Sequence, residues 1–176
     1  MRAIFTLLSA LALTACAVHS ADPDSPYYLL PTGSTAVLEQ PVRIPSPGVS
    51  VWIQDGRVGT GRDHYRPACK LEMWTRPDHG RTVEPDTFRV SRVDRNQMQV
   101  AFDTGVRKVV FDQADDSATA YEMETRIYLA SERQPEVYRL VCTHWSGGVG
   151  SSDFPQHLSI NQIRGTLEGI FRLELP

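Results

Sequence analysis

Nowhere in its 176 residues does this chain hold an apolar stretch of the length needed to cross a bilayer, a run of basic residues, or more than three cysteines. Each absence excludes something. A membrane-spanning helix needs roughly 20 consecutive apolar residues. The 18 basic and 21 acidic residues are intermixed, with a net charge of -3 and no stripe that would track a phosphate backbone, so nucleic acid is excluded as a partner. No repeat at the periods of solenoids or propellers is present. The chemical motifs are missing as well. There is no His-Glu-x-x-His, no Cys/His cluster at zinc spacing and no Gly-x-Ser-x-Gly. The glycine-rich loop Ser146-Gly147-Gly148-Val149-Gly150-Ser151-Ser152-Asp153 lacks the Gly-Lys-Ser/Thr ending of a phosphate cradle. The five histidines (His19, His64, His79, His144 and His157) are scattered, and the pairs Asp63-His64 and Asp78-His79 would point to opposite faces of a strand. No metal, cofactor or catalytic residue is assigned.

What is present suits one globular domain: 41% hydrophobic and 22% charged residues can bury a core of ordinary size. The start of the chain is different in kind. Arg2 precedes the apolar run Ala3 to Leu13, and Leu13-Thr14-Ala15-Cys16 follows. This order resembles the signal peptide and lipobox of bacterial lipoproteins. The resemblance implies cleavage before Cys16, lipidation of that cysteine, and membrane attachment through acyl chains that together hold a protein stably. Ala17, where a retention signal would place Asp, implies by the same resemblance the outer membrane of the envelope. Residues 1–15 are then the signal and 16–34 a lipidated cysteine with a flexible tether, which includes the polar, proline-bearing run Ala21 to Pro26. Extended, the tether would reach ~50 Å. Tyr27 to Leu30 within it read either as the first edge of the domain or as a docking segment. Residues 35–176 form the folded domain.

That domain reads as mostly β. Val49, Val51 and Ile53 alternate with Ser50, Trp52 and Gln54, and Asp55-Gly56 marks a tight turn. Cys69, Leu71 and Met73 share one face of a strand. Phe88 to Val93 and Gln97 to Phe102 read as two runs around Asp94-Arg95-Asn96, and Val106 to Phe111 as another before the acidic loop Asp112 to Ser117. Tyr121, Met123, Thr125, Ile127 and Leu129 alternate with Glu122, Glu124, Arg126 and Tyr128, the pattern of a half-buried strand. It leads through Ser131 to Glu136 into a central strand. On that strand Tyr138, Leu140 and Cys142 are expected on one face and Val137, Val141 and Trp145 on the other. Ser159 with Gln162 fits a capping box, Leu158 with Ile163 a hydrophobic staple, and Gly169 a left-handed C-cap. Ile160, Ile163 and Leu167 would face the core, and Phe171, Leu173 and Leu175 form a last strand. The fold class is an antiparallel β-sandwich or barrel with one short helix near the C-terminus.

An exported chain meets an oxidising compartment, so Cys69 and Cys142, both inward, are expected as a disulfide with Cα atoms ~4.4 to 6.8 Å apart. Candidate binding residues are Trp52 and Trp74, which fall opposite the core residues of their own strands, with Gly147 and Gly148. His144 shares the face of Cys142 at the rim of a pocket. The stripe Glu122, Glu124, Arg126 is the solvated side of its strand. These features suggest a non-enzymatic envelope lipoprotein that presents its β domain to a protein partner or assembly. A domain binding a small ligand or glycan through Trp52, Trp74 and the Gly147 loop stays open, and so does a hydrolase, which convergence of His144 with an acid and a Ser in one cleft would favour.

Overall fold

The structure is a computed structural model that describes residues 20–76, 78–101, 119–147 and 154–176. The signal segment, Cys16, the run Val106 to Phe111, the acidic loop after it, and Gly148 lie outside the described residues. The elements in chain order are β1 (Thr35–Leu38), β2 (Val42–Ile44), β3 (Ser50–Gln54), β4 (Arg57–Gly59), β5 (Ala68–Met73), β6 (Arg81–Val83), β7 (Asp86–Ala101), β8 (Thr119–Ala130), β9 (Val137–Ser146), α1 (Ile160–Leu167) and β10 (Phe171–Glu174). Eight strands form one antiparallel sheet in the order β10-β1-β7-β8-β9-β5-β3-β4, curled into a half-barrel, while β2 and β6 pair separately. The mostly β class with one short C-terminal helix is therefore what the chain adopts.

The core lies in the hollow of the curl. Leu71, Leu140 and Ile127 stand at one register position on β5, β9 and β8 and are fully buried. Phe88 and Phe171 meet from β7 and β10 with ring centroids 6.4 Å apart. Helix α1 fills the hollow and packs on β10, β5 and β3, covering the side the sheet leaves open. Its ends are set locally. The Ser159 side chain accepts from the Gln162 N–H and Gln162 Oε1 accepts from the Ser159 N–H, while Gly169 takes φ +73° just past the C-cap. Ile160, Ile163 and Leu167 are fully buried. The Asp55-Gly56 turn, with φ +50° and +68°, closes the β3–β4 hairpin against the end of this helix. A Cβ on Gly56 would lie 2.6 Å from the Glu168 carbonyl oxygen, so the position accepts only glycine.

Three expectations change. The residues Asp94-Arg95-Asn96 do not break a strand: β7 runs unbroken and pairs with β8 through all three. Arg95 tolerates its inward position because its guanidinium donates to the carbonyls of Pro26 and Tyr28 at 2.6 and 2.7 Å. On β9, Glu72 pairs with Arg139 but Met73 pairs with Val137, so Tyr138 is the extra residue of a β-bulge. The alternation flips there. Val137 turns inward and is buried, and Tyr138 turns outward, away from the face of Leu140 and Cys142. The third change concerns the disulfide. Cys69 and Cys142 are bonded, but their Cα atoms are 3.9 Å apart, below the expected range, because the two residues sit directly opposite on adjacent strands.

Residues before β1 form a strap on the sheet. The Pro23 carbonyl accepts the N–H of Ile160 at the start of α1, Asp24 accepts from Asn161, and Leu30 is buried in the core. From Pro23 on, the span expected as tether is thus held to the domain.

Candidate functional site

β7 carries a second bulge. Val90 pairs with Leu129 and Arg92 with Tyr128, leaving Ser91 as the extra residue. The two bulges lie on strands that flank β8, and both bulged residues face a groove of about 340 Å³ on the convex face, lined by Trp74, Ser91, Arg92, Tyr128 and Tyr138. Without the shift at Tyr138, its ring would point into the core. With it, the ring stacks on Trp74 at 3.5 Å between centroids and meets Tyr128 edge-on at 5.4 Å. Cations complete the ladder. Arg92 lies 3.9 Å over Tyr128, and Arg139 lies 4.6 Å from the Tyr138 ring centre. Arg139 is held from below by Glu72 at 2.6 Å, and Lys70 reaches the same carboxylate at 2.6 Å. Burial raises the Glu72 pKa, but the hydrogen bonds from Lys70 and Arg139 outweigh it and hold the carboxyl below its ordinary value.

Trp74 itself is 62% exposed. It also borders a second groove of about 420 Å³, with Arg89, Ser131, Glu132 and Pro135 along it, so its indole is a ridge between two depressions. Chemically this surface is an aromatic platform with paired charges and little side-chain freedom left to lose.

Trp52 and Trp145 share the convex face but not this openness. The connection from β4 to β5 folds over them: Arg62 sits 4.2 Å above Trp52, and His64 stacks on Trp145 at 4.5 Å. Arg62 is also paired with Glu122, and Glu124 with Arg126 at 2.5 Å. The stripe Glu122, Glu124, Arg126 is consequently a set of half-buried ion pairs, where the sequence suggested a solvated side.

At the other end of β8 and β9, on the concave side, a cleft of about 550 Å³ is lined by Asp24, Pro26, His144, Ser146, Phe154 and His157 among others. His144 takes the position its alternation with Cys142 predicts. Burial lowers its pKa, and burial together with Arg95 and His144 lowers that of His157 to about 4, against a raising contact with the Glu124 backbone. The Nδ1 atoms of both imidazoles are buried and have no hydrogen-bond partner among the described residues. No group of three or more potential metal ligands is found among the described residues. His64 and His79 are exposed.

The candidate binding residues therefore divide. Trp74 stands in the aromatic groove, Trp52 lies under Arg62, and Gly147 follows the far end of β9, nine residues along that strand from Tyr138 or roughly 30 Å. Tyr128, Tyr138, Arg92, Arg139 and Ser91 were not among the sequence candidates. Their one signal is Tyr128, an aromatic residue alone on the polar side of an otherwise clean alternation. Compared with family models, with curated proteins and with solved structures, the chain matches none. The class defined here is a half-barrel with an exposed aromatic groove on its convex face.

Proposed function

We propose that this protein is an envelope lipoprotein, anchored through Cys16, whose folded domain docks a protein partner on the convex groove around Trp74. The observation that carries the reading is the bulge at Tyr138, which spends a core aromatic position to build an exposed Trp-Tyr-Tyr platform with two arginines. Bulges re-aim side chains at functional sites, and Trp, Tyr and Arg are the residues that dominate interface energetics. In cells lacking the native copy, Trp74→Ala and Tyr138→Ala variants should fail to complement while melting like the parent, whereas Trp52→Ala should complement. Full complementation by both groove variants overturns the reading. The anchor has its own test: Cys16→Ser should move the protein from the detergent phase to the aqueous phase or leave its signal uncleaved.

A second reading has one observation in its favour. Ser146, His144 and Asp24 line the same cleft, the residue types of an acyl-transfer site. Their hydrogen bonds run elsewhere: the Ser146 hydroxyl accepts from the Gln156 N–H at 3.3 Å and Asp24 Oδ1 from Asn161 at 2.7 Å. An activated nucleophile needs its base in hydrogen-bond reach. Hydrolysis of an activated ester that is lost in a cooperatively melting His144→Ala protein would favour this reading over the first.

A further inference from the structure

The strap determines which end of the domain meets the membrane. Ser34 pairs with Val90 near the groove end of β7, whereas Pro26 and Tyr28 are held by Arg95 five residues further along that strand. Traced backwards, the strap therefore runs away from the groove and toward the Ala101–Thr119 end of the β7–β8 hairpin, and it leaves α1 at Pro23. Between Pro23 and Cys16 lie six residues, which span at most ~25 Å even when extended. A domain lipidated at Cys16 cannot stand ~50 Å off the bilayer; its cleft end must lie close to the headgroups. That end is also where large apolar side chains face solvent. Phe154, on the cleft rim, is 84% exposed, and Tyr27, next to the cleft residue Pro26, is 57% exposed.

We propose that the cleft end is a membrane-contacting surface, with Phe154 and Tyr27 entering the interfacial zone of the bilayer to which Cys16 is attached. The inference rests on the lipoprotein reading and goes beyond it, because lipidation alone specifies neither orientation nor contact. Aromatic rings are favoured at the headgroup level, and apolar faces of bound proteins enter ~5–10 Å. Among the described residues that line the cleft the one charged side chain is Asp24, while Arg95 is turned inward onto the Pro26 carbonyl, so this lining offers no basic surface to an anionic headgroup and the occupant is a zwitterionic lipid surface. The consequence for function is direct: with the cleft end down, Trp74 and its grooves point away from the membrane, toward whatever stands above it.

The test uses the full-length lipidated protein in phosphatidylcholine vesicles. A nitroxide is placed at Phe154→Cys and, separately, at Thr75→Cys beside the groove; Cys69 and Cys142 are bonded to each other and do not react. Flotation with the vesicles is scored first, then the collision of each label with oxygen and with a water-soluble nickel complex. The expected result is flotation of both, with oxygen collisions at position 154 exceeding those at 75 several-fold and nickel collisions reduced correspondingly. Flotation with equal, fully aqueous accessibility at the two positions overturns the membrane-contacting surface and leaves the anchor standing. Absence of flotation in detergent-free vesicles overturns both. A Phe154→Glu, Tyr27→Glu variant that floats, yet shows position 155 (as Pro155→Cys) in water, supports the inference independently of the label site.

Discussion

Arg139 and Arg95 lie on opposite faces of the same central strands, at register positions three residues apart along β8, and their surroundings differ. Arg139 lies on the convex face with a carboxylate beneath it and aromatic rings around it. Arg95 points into the concave side, has backbone carbonyls as its partners, and shows no acidic side chain paired with it among the described residues. Compensated charge on an open face leaves a surface that loses little when a partner removes its water. Uncompensated charge beside two neutral imidazoles does the opposite: it pins the strap, and it makes that side intolerant of further protons. The groove thus carries paired charge, whereas the concave side carries an arginine that holds the strap.

Cys142 pairs with Thr125, the partner of Arg95, three positions from Tyr128, so its bond to Cys69 supports the sheet beneath both faces and its removal should show the largest effect. Replacing both cysteines by Ala releases a loop of 73 residues in the unfolded chain and should cost about 3 kcal/mol of stability. Urea unfolding of the purified domain measures it; the midpoint should fall with the slope unchanged. If the groove end folds independently of the bridge, a partner titration on the folded variant will show near-parental affinity, which sharpens the division.

Trp74→Ala comes next. Loss of a central aromatic anchor should cost about 2 kcal/mol of binding, roughly 30-fold in Kd, with the melting temperature nearly unchanged because the indole is exposed. The double variant His144→Ala, His157→Ala should leave Kd alone. The reverse pattern would show that the cleft, not the groove, holds the partner.

Much of the fold could be read from the chain before its structure, and the exceptions share a cause. The helix was legible because Ser159, Gln162 and Gly169 act within a few residues of one another, and β8 because its alternation runs undisturbed from Tyr121 to Leu129. Bulges are invisible to such reasoning. One inserted residue inverts the phase of everything beyond it, and Val137-Tyr138-Arg139 reads as ordinary alternation unless the partner strand's register is known. The polar run Asp94-Arg95-Asn96 misled for a related reason. Local composition marks a turn, but the partners that make Arg95 acceptable inside a strand come from residues almost 70 positions earlier. The three-residue pair β2 and β6 is likewise too short to give a period. The groove went unrecognised because it depends on both bulges at once.

The third prediction concerns pH. Because the folded-state pKa of His157, about 4, lies below its unfolded value near 6.5, the unfolded chain binds more protons between these values and stability must rise with pH across that window. Lowering the pH from 7 should therefore cost stability progressively down to about pH 4, on the order of 2 kcal/mol for a ring only partly removed from water. His157→Leu should flatten this part of the curve relative to the parent, while Trp74→Ala should leave its shape intact. A parent curve that stays level between pH 7 and 5 would mean that the cleft end tolerates charge, and the contrast with the groove would fail.

The smallest effect tests the groove from beneath. Glu72 is not among the residues that line either groove, yet it holds Arg139 beside Tyr138, and Lys70 shares its carboxylate. Its folded pKa is depressed, so the stability it contributes is present above its unfolded value and is lost as pH falls through the lower folded one, a window more acidic than that of His157. Glu72→Gln keeps the shape and removes the charge. Arg139 should then keep one neutral hydrogen bond and gain freedom to swing from the ring, weakening partner binding by about 0.5–1 kcal/mol, or two- to fivefold. A merely structural role would lower the melting temperature and leave Kd unchanged. A positioning role should change Kd at pH 7 and lose that difference at a pH below the lowered folded pKa, where the parent's own carboxyl is protonated. Measuring both variants at the two pH values distinguishes these cases, because Glu72→Asp should restore most of the affinity only if the charge beneath Arg139, and not the volume of the side chain, is what the groove requires.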